Sequence, residues 1–160
     1  KKIGFIYDAD TFKVLKEFYF DTGTGEGWGI TYNSISKEFI VSDGSDNIYF
    51  WDRDTLQEKR RIKVTFDATK TSHGSIWYLN ELEFVPHSSC NPFLNNDDNN
   101  NETVDIILAN VWFQDVLLAI NTQTGKILRI FDFSKLYQNR DPSADVFNGI
   151  SISEEEGVYY

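Results

Sequence analysis

The sequence predicts an all-β fold, a β-propeller of four-stranded antiparallel blades, on three observations. Strand-like stretches dominate the chain, a turn motif recurs along it, and a second short motif recurs out of phase with the first. Ile3-Gly-Phe-Ile-Tyr7, Glu38-Phe-Ile-Val-Ser42, Asn47-Ile-Tyr-Phe-Trp51, Arg61-Ile-Lys-Val-Thr65 and Lys126-Ile-Leu-Arg-Ile-Phe131 are short, β-branched or aromatic, and bounded by Gly, Asp or Asn. No stretch keeps a long helical period, and the one helix candidate, Ser134-Lys-Leu-Tyr-Gln138, is worth a turn or two.

The turn motif reads Ile6-Tyr-Asp-Ala-Asp-Thr-Phe12, then Phe50-Trp-Asp-Arg-Asp-Thr-Leu56, then Ala119-Ile-Asn-Thr-Gln-Thr-Gly125, each with Thr three residues after Asp or Asn. An Asx side chain accepts from nearby backbone N–H groups and the Thr supports the same turn, so this motif is expected between the third and fourth strands of a blade. The second motif reads Gly27-Trp-Gly-Ile-Thr31, Leu79-Asn-Glu-Leu-Glu83 and Phe147-Asn-Gly-Ile-Ser151, and would open each innermost strand, lining the central channel. Four short strands in a unit of about 40 to 50 residues is the period of a propeller blade.

The 160 residues then divide into an outer half-blade at 1–20, blades at 27–64 and 80–131, and an opening half-blade at 148–160. The polar tract 91–103, with Asn95-Asn-Asp-Asp-Asn-Asn-Asn-Glu102, interrupts the second full blade as a surface loop too polar to order itself. Roughly three blades cannot close a ring that takes about four to eight. Two sheet faces are therefore expected to lie bare unless the remainder of the propeller covers them. Lys1-Lys2 runs straight into a strand-like stretch, and the sequence contains no Met, which reads as an excised piece.

Composition narrows the function. The chain is 41% hydrophobic and 16% aromatic, too apolar for disorder, and its net charge of -10 with no basic stripe argues against nucleic acid as a partner. The longest apolar runs fall far short of the roughly 18 to 20 residues of a membrane span. Cys90 is the single cysteine, so no internal disulfide forms and the compartment stays open. His73, His87 and Cys90 make a poor metal set, so no metal site is expected. Gly23-Thr-Gly-Glu-Gly-Trp-Gly29 precedes a strand and is no phosphate cradle, and Asn101-Glu-Thr103 is a glycosylation sequon within an Asn-rich tract.

Candidate site residues each carry a plain alternative. Trp28 and Trp112 sit beside Gly or Asn outside simple hydrophobic alternation, whereas Trp51 and Trp77 lie in or near strand-like aromatic clusters; inter-blade packing is the ordinary role of any of the four. Asn80 opens an innermost strand and is equally suited to satisfying channel-facing backbone. Glu26, between two glycines, approaches a ligand easily but is also an ordinary turn residue. Glu81 and Glu83 alternate with Leu82 and share a face, where a channel carboxylate needs a donor, a cation or water.

Taken in order, Gly25-Glu-Gly-Trp-Gly-Ile-Thr31, Ser42-Asp-Gly-Ser45, Leu79-Asn-Glu-Leu-Glu83, Ala109-Asn-Val-Trp-Phe-Gln-Asp115 and Asp145-Val-Phe-Asn-Gly-Ile150 resemble the glutaminyl-peptide cyclotransferases of plant and bacterial type. The resemblance implies a five-bladed propeller that converts the N-terminal glutamine of peptides or proteins to pyroglutamate with release of ammonia. It implies no cofactor and no metal, and a secretory or extracellular setting. It implies substrate-pocket positions at Trp28, Asn80 and Trp112, with Glu26, Glu81 and Asn148 as channel neighbours. The family's acid/base glutamate belongs to an earlier Gly-Glu-Gly motif upstream of Lys1, and its pocket lysine to a Val-Thr-Gly-Lys segment beyond Tyr160, so the piece alone is expected to be inactive. A non-catalytic propeller that binds peptides or scaffolds partners, and a sugar- or lactone-acting propeller with a channel cation, are the alternatives.

Overall fold

A computed structural model describes residues 2–66, 76–87, 104–136, 139–141, 143–144, 146–155 and 158–160. His73, Cys90, the tract 91–103 and the sequon at Asn101 lie outside the described residues. Strands β1 (Lys2–Tyr7) and β2 (Val14–Phe20) form a hairpin. The meander β3 (Ile30–Asn33), β4 (Glu38–Ser42), β5 (Asn47–Asp52) and β6 (Glu58–Lys63) forms one four-stranded sheet, and β7 (Leu79–Val85), β8 (Ile106–Val111), β9 (Val116–Asn121) and β10 (Ile127–Asp132) form another. Every neighbouring pair is antiparallel. These sheets are blades of a β-propeller.

The described residues contain no helix, and Ser134–Leu136 is a turn closed by Leu136 N–H donating to the Phe133 carbonyl at 2.8 Å. The strand expected at Arg61–Thr65 instead begins at Glu58, because the corner before it ends at Leu56.

The sheets stack through side chains that alternate along their strands. Ile40, Ile48 and Phe50 meet Leu79, Leu82, Ile107 and Leu118 between the two four-stranded sheets. Their neighbours Val41, Tyr49 and Trp51 point the other way, onto Phe18 and Phe20 of β2. On the far side of the second sheet, Ile106, Leu108, Leu117 and Ala119 are covered by Ile150 and Tyr159. Burial on both faces is why β5 and β8 read as near-continuous apolar runs. Trp51, 5% exposed, packs its ring 5.5 Å from Phe20 and 6.3 Å from Phe18, which is inter-blade packing. The outer face of the hairpin carries Ile3, Phe5, Tyr7 and Tyr19 in the open.

The turn motif folds as its chemistry requires. Asp8 Oδ1 accepts from Thr11 N–H at 2.8 Å, Asp52 Oδ1 from Thr55 N–H at 2.9 Å, and Asn121 Oδ1 from Thr124 N–H at 2.9 Å. The last two corners join the third and fourth strands of their sheets. In each copy the residue after the Thr, Phe12, Leu56 or Gly125, turns left-handed and returns its N–H to the Asx carbonyl. These corners occupy one end of the strands; the starts of β3 and β7 and the hairpins β4–β5 and β8–β9 share the other end.

The three copies of the second motif lie side by side. Thr31 Oγ1 donates to Glu83 Oε2 at 3.1 Å and accepts from Phe84 N–H at 3.2 Å, while Glu83 Oε1 accepts from Ile152 N–H at 3.0 Å. Glu83 thereby finds its donors in the elements on either side of β7. No helix among the described residues is long and apolar enough to cross a membrane.

Candidate active site

Gly29 sets the site by letting two backbones touch. A Cβ there would lie 2.2 Å from the Asn80 carbonyl oxygen and 2.9 Å from the Glu81 Cα. Ser42 locks the junction: its Oγ accepts from Gly29 N–H at 2.8 Å and donates to the Asn80 carbonyl at 2.7 Å. Trp28 N–H donates to the Ser42 carbonyl at 2.9 Å, so Trp28 at the entry to β3 and Asn80 at the entry to β7 are held by one serine.

The Trp28 indole rests on Gly44, where a Cβ would fall 2.7 Å from its ring carbons and where φ is +77°. Only glycine suits both demands. The indole Nε1–H donates to Glu26 Oε2 at 2.7 Å. Glu26 is exposed and fixes the ring's direction.

Trp112 arrives from the β8–β9 hairpin. Its N–H donates to the Tyr78 carbonyl at 2.9 Å, and Tyr78 N–H donates to the Gly44 carbonyl at 2.7 Å, which ties the two blades' loops into one surface. Trp28 and Trp112 meet edge to face, with centroids 5.2 Å apart and planes at 88°. The indoles therefore form adjoining walls of a corner, with no slot between them for a side chain. Tyr78 stacks beside Trp28 at 6.3 Å, and Phe113 lies against Trp112 at 4.1 Å.

Asn80 Nδ2 donates to Asn148 Oδ1 at 3.1 Å, and the same oxygen accepts from Gly149 N–H at 3.0 Å. The Asn80 amide thus pairs with a side chain of the next repeat copy, at the equivalent position. Glu81 follows it, half-buried, against Gly29. Trp77 is 55% exposed and has no part in the aromatic corner.

Asp43, 1% exposed, braces the loop carrying Glu26 and Trp28. Its Oδ2 accepts from Thr24 N–H at 3.0 Å and from the Tyr49 hydroxyl at 2.9 Å; its Oδ1 accepts from the Ser45 N–H and hydroxyl. Tyr49 in turn accepts from Gly23 N–H at 2.7 Å. Burial pushes the Asp43 carboxyl up, but the bonds from Ser45, Thr24 and Tyr49 outweigh it and hold the pKa below the usual value. Burial, then the Asp43 contact, raises the Tyr49 phenol, which stays a donor. A lowered native pKa means the carboxylate stabilises the fold above its unfolded value of about 4, and that stabilisation disappears as pH falls through the native value. Asp43→Asn is expected to cost about 1–3 kcal/mol at pH 7, because an amide NH2 faces donors. In urea titrations the gap between variant and parent should narrow as the buffer is taken below about pH 4.

Residue reasoning missed Tyr78, Phe113 and Asp43. The repeat itself held a signal for the first: Tyr78 stands two residues before Asn80, as Glu26 stands two before Trp28. Among the described residues no group of three or more His, Cys, Asp or Glu could hold a metal ion.

Fold and site together define an arc of a β-propeller with an aromatic corner and an oriented amide at one end of two adjacent blades. The sequence model of the glutamine cyclotransferase family matches residues 1–160, and the chain belongs to that family. Among solved structures, Myxococcus xanthus glutaminyl cyclase resembles it with a TM-score of 0.62 at 22% identity, over 92% of this chain and 53% of its own length, a likeness of fold. The chain spans about half of that protein. No curated protein matches the chain.

Proposed function

We propose that the chain supplies part of the substrate pocket of a glutaminyl-peptide cyclotransferase, which turns the N-terminal glutamine of peptides or proteins into pyroglutamate. The observation that carries this reading is the convergence of Trp28, Trp112 and Asn80 across a blade boundary in a chain of that family. In the reaction the neutral α-amine attacks the γ-carboxamide carbon of the same residue. A new C–N bond closes the five-membered ring, the old bond to the amide nitrogen breaks, and the amine's proton leaves with that nitrogen as ammonia.

Both reacting groups belong to one residue, so the protein's main task is to hold it folded in a near-attack geometry and exclude water. The corner of Trp28 and Trp112 offers two perpendicular apolar walls for the methylenes. Asn80 Nδ2 carries two hydrogens, and the bond to Asn148 leaves the second for the γ-carbonyl oxygen as it gains negative charge. Glu26 keeps the indole wall in place and is assigned no proton transfer. A carboxylate must carry the proton, and its pKa has to lie near the working pH; on this reading that glutamate, and the pocket lysine, come from other blades of the ring.

Ring closure by the remaining blades would bury the bare apolar face of β1–β2 and supply those groups. The test is ammonia release and pyroglutamate formation from a Gln-initiated peptide. The ring-complete protein should turn over, without loss on removal of divalent metals, and the 160-residue piece should not. Binding of Gln-initiated peptides by the ring-complete protein with no turnover would instead favour a peptide-binding propeller.

A further inference from the structure

Five described residues other than glycine adopt left-handed backbone: Phe12, Lys37, Leu56, Tyr78 and Phe113. Phe12 and Leu56 close Asx corners, and Lys37 follows the Asn33 corner, whose Oδ1 accepts from Ser36 N–H at 3.0 Å. Tyr78 and Phe113, at φ +70° and +67°, have no such corner. Both belong to the aromatic cluster at the site.

Phe113 is the sharper case. Gln114 N–H donates to the Val111 carbonyl at 3.0 Å, so Val111–Gln114 is a tight turn with Phe113 at its third position. A left-handed third position favours Gly or Asn, and an aromatic residue there is strained. The residue is nevertheless 67% exposed and gains little burial in return. It lies 24° from the plane of Trp112 at 4.1 Å, and Tyr78, 49% exposed, stands edge-on to it at 6.4 Å and 81°. The Trp28–Trp112 corner thus continues outward as a second, open aromatic corner.

We infer that Tyr78 and Phe113 form a subsite for the side chain of the residue that follows the N-terminal glutamine, and that this subsite selects aromatic and large apolar side chains. The inference rests on the cyclotransferase reading. An N-terminal glutamine seated at the inner corner must send its peptide out past these rings, and an aromatic side chain would cover the exposed face of Phe113 with an edge-to-face or offset contact.

The experiment compares kcat/KM of the ring-complete protein for Gln-Phe-Ala and Gln-Gly-Ala peptides. The expected ratio is about tenfold in favour of phenylalanine, the size of one aromatic pair. Phe113→Gly should bring the ratio to within about twofold of unity, while Phe113→Tyr should keep it. Glycine suits the turn, so Phe113→Gly should fold at least as stably as the parent, checked by its urea midpoint. A parent ratio near unity, or a preference that survives Phe113→Gly, overturns the subsite. Failure to cyclise any Gln-initiated peptide overturns the cyclotransferase reading, and the subsite with it.

Discussion

Asn80→Ala in the ring-complete protein is expected to lower kcat for a Gln-initiated peptide by about a hundredfold to a thousandfold, the loss typical of removing one oxyanion donor. On the proposed reading, the donor is already aimed. Asn148 Oδ1, fixed by Gly149 N–H, holds Asn80 Nδ2 at 3.1 Å, so little reorganisation is needed when charge develops on the substrate. Asn148→Ala leaves the donor present but loosely oriented, and a smaller loss, roughly tenfold, is expected. Both side chains lie at the surface end of the blades, so the urea midpoint should shift little. Steady-state kinetics decide the matter: a change confined to KM, or a kcat loss below about threefold, would remove Asn80 from the transition state.

Gly29→Ala is expected to destabilise the fold by about 3 kcal/mol and to disable the site in the same step. The added methyl meets backbone, namely the Asn80 carbonyl at 2.2 Å and the Glu81 Cα at 2.9 Å, and neither can rotate away as a side chain could. Strands β3 and β7 have to part, which breaks the Ser42 bonds to Gly29 N–H and to the Asn80 carbonyl. Urea unfolding should show a large fall in midpoint. The fluorescence of Trp28 should shift to longer wavelength before the global transition as its ring leaves Gly44. A variant with parental stability and parental spectrum would show that the strands can yield, and that the junction is not what holds the two blades in register.

Much of the fold could be read along the chain because it is local chemistry repeated. Asp8, Asp52 and Asn121 each cap a turn with a Thr three residues on, and such a turn needs only five consecutive residues to form. The boundary that drifted furthest was β6, where the corner ends at Leu56 and frees the chain to pair from Glu58, earlier than β-propensity alone placed it. Trp51 and Trp28 show the limit. Trp51 lies within β5 in an aromatic cluster and packs against Phe18 and Phe20, while Trp28 lies between two glycines ahead of β3 and is half-buried over Gly44; their neighbours in sequence separate the two, but not which partners each ring meets.

The site divides the same way. Trp28, Asn80 and Trp112 were legible as motif positions. That Trp28 and Trp112 meet at right angles in contact, instead of facing each other across a gap, depends on the bonds Tyr78 makes to Gly44 and Trp112 across the blade boundary. Tyr78 and Phe113 escaped notice because their importance lies in left-handed backbone and exposure, which residue type alone does not announce.

By itself the chain's order of residues determined the strands, the corners, the repeat and hence the propeller, since each follows from alternation and hydrogen bonding over a handful of neighbours. The tertiary structure alone decided which faces of those strands meet, how close Gly29 brings two blades, and which rings gather into one corner. Those outcomes depend on contacts between residues distant in sequence, where the position of a ring or an amide is set by whatever backbone the neighbouring blade puts beside it.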